Sequence, residues 1–206
     1  MDEKMKQETV STETEENKVN GDKEAAPSKA QEFFSLLIYV LVVFAITFFI
    51  LHFVGQRTEV SGSSMEDTLS DGDNLIMDKL TYHFSDPKRF DVVIFPVDEE
   101  TYYIKRVIGL PGETVRIDEA GNIYINDVIL EEDYGLATIT DPGRAIEPIT
   151  LGDDEYFVLG DNRNASLDSR YEEVGNIERS RITGRAWLRI YPFNEITFIK
   201  GYKGED

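Results

Sequence analysis

This chain has no cysteine, which removes thiol nucleophiles, disulfides and thiolate metal sites together. The absence suits an exported domain that avoids stray oxidation, although many cytosolic chains share it. Histidine is almost as scarce. There are two, His52 and His83, and His52 falls inside a long apolar run. A Ser-His-Asp triad would have to use His83, which sits in a Tyr-His-Phe turn. Positive charge is in deficit: 21 Lys and Arg stand against 40 Asp and Glu, a formal net charge of -19. That argues against a nucleic-acid partner and against docking to anionic lipid by charge. Any membrane attachment must then be apolar. No internal repeat is present, and no long helical period follows Val54. What remains is 206 residues, 41% of them apolar, enough for one membrane segment and one domain with a core.

Residues 1–32 are polar, with nine acids against five lysines and no aromatic. Such a segment cannot bury a core and reads as a disordered acidic tail. The tail carries -4, leaving -15 for the remainder. From Phe33 to Val54 only Ser35, Thr47 and His52 interrupt an apolar run, and no charge does. As a helix this run reaches roughly 33 Å at about 1.5 Å per residue, enough for a bilayer core. A cleavable leader would have a shorter apolar stretch after a short basic start. Lys18, Lys23 and Lys29 flank the run on one side and Arg57 on the other, which places the tail inside and residues 55–206 outside.

Beyond the span the pattern is of strands. Phe90–Pro96 is a β-branched and aromatic run stopped by proline, and Thr101–Ile108 is another, ended by Gly109-Leu110-Pro111-Gly112. Val115 and Ile117 alternate with charged residues, then Glu119-Ala120-Gly121-Asn122 turns the chain into Ile123-Tyr124-Ile125, a hairpin. Glu155–Leu159, Ala186–Tyr191 and Ile196–Ile199 add three more. Residues 131–150 read as a loop or small insertion. The sum is a mainly β, antiparallel domain.

Three stretches carry candidate chemistry. Val60-Ser61-Gly62-Ser63-Ser64-Met65 sets three serines beside a glycine. Glycine lets backbone approach a ligand or take a positive φ, and a serine there presents hydroxyl and N–H together, as an acyl-transfer nucleophile must. The same string also suits a linker. Lys105 lies within a strand, sharing a face with Tyr103 and Val107, while Arg106 shares the other with Ile104 and Ile108. One of these two basic residues therefore points where apolar side chains go, unless that face is wet. An edge-strand lysine that discourages aggregation is the plain alternative. At an ordinary pKa near 10.4 only about one lysine in a few thousand is neutral at pH 7. Burial lowers that pKa, and a neutral amine can take a proton from serine. The third stretch, Leu159–Arg170, is a dense polar loop next to a strand. Within it Asp168 and Arg170 can pair and a serine can orient an amine. Arg163 stands where a calcium loop would need a ligand, so no metal is expected there.

Taken together and in order, these segments resemble bacterial type I signal peptidases of the single-span kind found in Gram-positive bacteria. Ser64-Met65 with Thr68-Leu69, Asp71-Gly72-Asp73 through Lys79, Tyr103 to Glu113, and Gly160-Asp161-Asn162-Arg163 with Ser166, Asp168, Ser169 and Arg170 match the family boxes. The resemblance implies that Ser64 attacks the scissile carbonyl and Lys105 is the general base. Ser166 would hydrogen-bond the amine, Asp168 and Arg170 would form a supporting salt bridge, and Asp161 would brace the loop. The Ser64 backbone N–H would donate to the oxyanion. Gly62 stands where some members carry a further hydroxyl donor, and Asp67 where proline is usual. Residues 171–175 look longer than the family pattern. No cofactor is implied. The implied substrates are signal peptides of secreted precursors ending in Ala-x-Ala, added as a strand to an exposed edge, with Met65, Leu69 and Ile104 as candidates either for pocket walls or for ordinary core. The resemblance also implies a single-pass membrane protein whose site works near the lipid bilayer. Two other classes share features with the chain: a Ser-Lys autoprotease of the DNA-damage-repressor kind and a non-catalytic assembly factor. The first would carry a basic DNA-binding domain, and the second would lack the serine or the lysine.

Overall fold

The computed structural model describes residues 28–49, 55–98 and 101–201. Helix α1 (Lys29–Phe49) is long and apolar enough to cross a membrane. Its side chains from Lys29 to Phe48 are all exposed, as suits a helix apolar on every side. It starts at Lys29, not Phe33, so the tail expected over residues 1–32 gives up its last turn to the helix. The cause is a reciprocal cap. The Ser28 N–H donates to Gln31 Oε1 at 2.8 Å and the Gln31 N–H to Ser28 Oγ at 3.3 Å, satisfying two N-terminal amides at once. Residues 1–27 of the expected tail and residues 50–54 of the expected span lie outside the described residues.

The β domain contains β1 (Gly55–Glu59), β2 (Asn74–Asp78), the short helix α2 (Thr81–Phe84), β3 (Val92–Pro96), β4 (Tyr102–Gly109), β5 (Thr114–Ile117), β6 (Ile123–Ile125), β7 (Val128–Ile129), β8 (Ile149–Thr150), β9 (Glu155–Leu159), β10 (Ile177–Glu178), β11 (Gly184–Tyr191) and β12 (Thr197–Phe198). One sheet runs β1-β2-β11-β3-β4-β9-β10, with β12 added to β11; a second runs β7-β6-β5-β8. Every pairing among the described residues is antiparallel. The expected hairpin is present, with Ile117 opposite Ile123.

Alternation along β3 distributes the core. Val92 and Ile94 pack with Met65, Leu69, Leu75 and Ile104, while Val93 and Phe95 pack with Val107, Tyr156 and Val158. Both faces of the large sheet are therefore covered, which is why β3 reads as an unbroken apolar run. A register shift between Val107 and Gly109 turns Ile108 into a third cluster, with Val115, Ile117 and Phe157 under the small sheet. Residues 131–150 are mostly irregular, as expected, but Ile139 and Ala145 are buried in that third cluster. Phe90 falls outside the strand expected to contain it, with φ of 71°.

Candidate active site

The loop after β1 brings Ser64 to the sheet, and β4 brings Lys105. Lys105 Nζ lies 2.8 Å from Ser64 Oγ and 3.2 Å from the Ile104 carbonyl oxygen. Lys105 is 3% exposed. Burial pushes its amine down to about 8 from 10.5, against the opposing pull of the Asp168 and Asp161 carboxylates. Taking the charged form out of water is the dominant effect. The Tyr103 ring lies 4.9 Å from the amine, on the shared face that alternation assigns it.

The choice between Lys105 and Arg106 as the inward basic residue was too narrow. Both are buried, on opposite faces. Arg106 is tolerated because Asp161 neutralises it: Nε and Nη2 donate to the carboxylate at 2.8 and 2.6 Å, and neither side chain is exposed. Phe90 and Lys200 carbonyls and the Thr68 hydroxyl take further guanidinium bonds. Asp161 therefore pairs with Arg106 first, and Thr68 Oγ1 donates to it at 2.5 Å. This ties the Ser64 loop to the loop after β9.

That second loop grips Ser64 directly. The Asn162 N–H donates to the Ser64 carbonyl at 3.1 Å and its side-chain amide to the Ser63 carbonyl at 3.1 Å. Gly160 sits between the two loops: a methyl group there would lie 2.4 Å from the Ser64 carbonyl oxygen and 2.2 Å from Ser166 Oγ. Asp168 and Arg170 are paired as expected, at 2.8 and 2.9 Å. Asp168 also accepts from the Gly160 N–H at 3.1 Å. Arg170 in turn donates to the Asp141 and Arg163 carbonyls. Ser166 departs from expectation. Its hydroxyl is buried without a hydrogen-bond partner among the described residues, and the Lys105 amine bonds Ser64 instead.

Gly62 adopts φ of +92°, open to glycine without strain, and its N–H donates to Asp71 at 2.7 Å. The Glu66–Asp67 peptide is cis. Among the described residues no hydrogen bond engages the Ser64 N–H.

A cleft of about 570 Å³ opens over the pair. Thr58 to Met65 form one wall and Thr101 to Lys105 the other, with Ala165 and Leu167 at the end. Met65 and Ile104 line it as expected. Leu69 does not: it is fully buried in the core beside Leu75 and Val92, because the turn that bonds its N–H to the Met65 carbonyl points it inward. Strand β9 pairs with β4 only from Arg106 to Gly109. The cleft-side backbone edge from Tyr102 to Lys105 thus has no strand partner among the described residues. His83 is exposed on α2, bonded to the Lys79 carbonyl, and takes no part in the cleft. Among the described residues no group of three or more His, Asp or Glu is placed to hold a metal ion.

The structure brings the expected Ser64, Lys105, Asp161, Asp168 and Arg170 close together, and joins Thr68, Arg106 and Asn162 to the same network. An arginine beside a buried lysine was the available signal for Arg106. Ser169, whose hydroxyl accepts from the Val158 N–H at 3.0 Å, had been matched only by pattern.

A family profile described as "Signal peptidase, peptidase S26" matches residues 31–191. A probable signal peptidase I-2 of Synechocystis is 40% identical over 154 residues, covering 71% of this chain and 68% of that protein. Signal peptidase I T of Bacillus subtilis is 34% identical over 201 residues, covering 91% and 100%. The crystal structure of a signal peptidase I from Enterococcus faecalis is 34% identical, covering 49% of this chain and 97% of that one with a TM-score of 0.40. On the breadth of the profile match and the full-length relative, this chain belongs to the signal peptidase family, peptidase S26.

Proposed function

We propose that the protein is a membrane-anchored serine endopeptidase that removes signal peptides from exported precursors, using Ser64 as nucleophile and Lys105 as general base. The observation that carries this reading is the 2.8 Å approach of a buried amine, held at about 8, to a serine hydroxyl at the floor of an open cleft. In the working state the amine is neutral and the hydroxyl donates to it. Lys105 takes the Ser64 proton as Oγ bonds to the scissile carbonyl carbon. The oxyanion so formed accepts from the Ser64 backbone N–H, a donor of the kind worth about 2.7–4 kcal/mol of transition-state stabilisation. As the intermediate collapses, the C–N bond breaks and the lysine ammonium protonates the departing amine. Water then attacks the Ser64 ester, again giving its proton to Lys105, and Oγ leaves with that proton restored.

The unpaired edge from Tyr102 to Lys105 suits an extended peptide that adds as a strand. The sites expected are those with small residues before the scissile bond, of the Ala-x-Ala type. Helix α1 serves as the anchor, with the tail cytoplasmic and the β domain outside; the lysine bias across the span supports that orientation. The test is incubation of a precursor with detergent-solubilised protein, read by mass spectrometry. Wild type should yield the mature chain cut after a small residue. Ser64→Ala should yield none while remaining folded, and undiminished cleavage by that variant would reject the assignment.

A further inference from the structure

The C-terminal segment beyond Tyr191 lies outside the family match, which ends at that residue. It nevertheless reaches the network behind the proposed dyad. Strand β12 pairs with β11, and the Ile199 N–H donates to the Trp187 carbonyl at 2.9 Å. Ile199 packs against the core that contains Met65 and Ile104. The next two residues then contribute main-chain acceptors. The Lys200 carbonyl takes a bond from Arg106 Nη1 at 3.1 Å, and the Gly201 carbonyl one from the Tyr134 hydroxyl at 2.7 Å. The Tyr134 ring lies 3.8 Å from the Arg106 guanidinium carbon. Arg106 is wholly buried, and these residues are part of what covers it.

We infer that residues 197–201 form a strap that positions the Ser64–Lys105 pair through Arg106 and Asp161, so that this stretch is part of the machinery for the reaction proposed above. The mechanical path is short on both sides. Arg106 is bonded to the residue that carries the amine. Its partner Asp161 adjoins Gly160 and Asn162, and Asn162 holds the Ser64 carbonyl at 3.1 Å. Asp161 also accepts from Thr68, four positions after Ser64. Water admitted to Arg106 would compete for the guanidinium, weaken its hold on Asp161 and let the two halves of the pair drift. A misplacement of about 1 Å at a reacting centre can cost about 100-fold in rate. None of residues 197–201 lines the substrate cleft, so the loss is expected in kcat rather than in KM.

The experiment compares full-length protein, a chain ending at Ile196, a chain ending at Gly201, and Tyr134→Phe, each checked for folding by circular dichroism. Tyr134→Phe keeps the ring over Arg106 and removes the hydroxyl that holds Gly201. The chain ending at Ile196 should lose about 30- to 100-fold in kcat with KM within about twofold. Restoring residues 197–201 should return kcat to the full-length value, and Tyr134→Phe should lower kcat several-fold, again at constant KM. A folded chain ending at Ile196 with unchanged kcat, or a loss confined to KM, overturns the inference. If that chain does not fold, Tyr134→Phe with unchanged kcat overturns it. Ser64→Ala in the full-length protein runs alongside. Cleavage by that variant would defeat the proposed reaction whatever the strap does.

Discussion

Gly160 offers the sharpest steric test of how the site is assembled. A Cβ at this position would stand 2.2 Å from Ser166 Oγ, 2.4 Å from the Ser64 carbonyl oxygen and 2.5 Å from Ser166 Cβ. None of these neighbours can withdraw easily. The Ser64 carbonyl is held by Asn162, and Gly160 itself is held by its N–H to Asp168 and by its carbonyl to Arg163. Carbon-to-oxygen contacts of ordinary closeness need roughly another 1 Å, so the nucleophile loop must move away by about that much. Overpacking of this kind costs about 1–3 kcal/mol, which in a domain of this size lowers Tm by about 2–4 °C for each kcal/mol. The displaced atoms include the carbonyl of Ser64 itself, so the catalytic loss should be disproportionate, about 100-fold in kcat/KM. The assay is kcat/KM on a precursor peptide beside thermal unfolding of the same Gly160→Ala preparation. Removing Ser166 Oγ as well, in Gly160→Ala/Ser166→Ala, should recover only part of the loss, because the contact with the Ser64 carbonyl remains. Wild-type kcat/KM with unchanged Tm would refute the packing argument.

Three further outcomes follow from the buried polar groups. Ser166→Ala removes a hydroxyl that is buried without a partner among the described residues, so Tm should hold or rise slightly. A fall in kcat/KM without a fall in Tm would show that the hydroxyl meets the amine during turnover. Asp161→Asn should leave Arg106 charged and unpaired in a site with no exposure. Its cost is about 3–5 kcal/mol, and Asp161→Asn with Arg106→Met should regain much of the stability but not the activity; a Tm for the single variant within 2 °C of wild type (about 1 kcal/mol) would contradict this. Lys105 is held at about 8 against 10.5, so between those values the unfolded chain binds more protons than the folded one. Stability should therefore rise with pH from about 8 to about 10.5, by about 3 kcal/mol in all. Lys105→Met removes that burden and should be more stable than wild type at pH 7 while inactive, the gap closing toward pH 11. Equal Tm values at pH 7 would count against a desolvated amine.

Much of this was legible because it rests on short-range patterns. The strands around Val92–Phe95 and Tyr102–Ile108 are apolar runs bounded by proline and glycine, and alternation alone flagged an inward basic residue on β4. What alternation could not supply was the number of covered faces. Alternation led one of Lys105 and Arg106 to be expected inward, and only long-range closure over Asp161 and Lys200 lets Arg106 be buried as well. Leu69 stood as a candidate for either the cleft wall or the core, and a turn rotates it into the core. Strand β1, Gly55-Gln56-Arg57-Thr58-Glu59, went unnoticed because an edge strand paired on one side only need not be apolar. The start of α1 was shifted by a Ser28–Gln31 cap that an apolar count does not register. The two-residue strands β8 and β10 are set by partners distant in sequence, β5 and β9, and β7, which folds back on β6 across Asn126-Asp127, is too short to leave an alternating pattern.

The central claim is that a neutral Lys105 amine receives the Ser64 proton, and the pH dependence of kcat/KM on a precursor peptide without titratable side chains tests it most directly. With the amine at about 8, the neutral fraction is about 9% at pH 7 and about 91% at pH 9, so activity should climb about tenfold across that interval and level off above it. A profile flat from pH 6 to 10, or one still rising toward a midpoint near 10.5, would contradict the account.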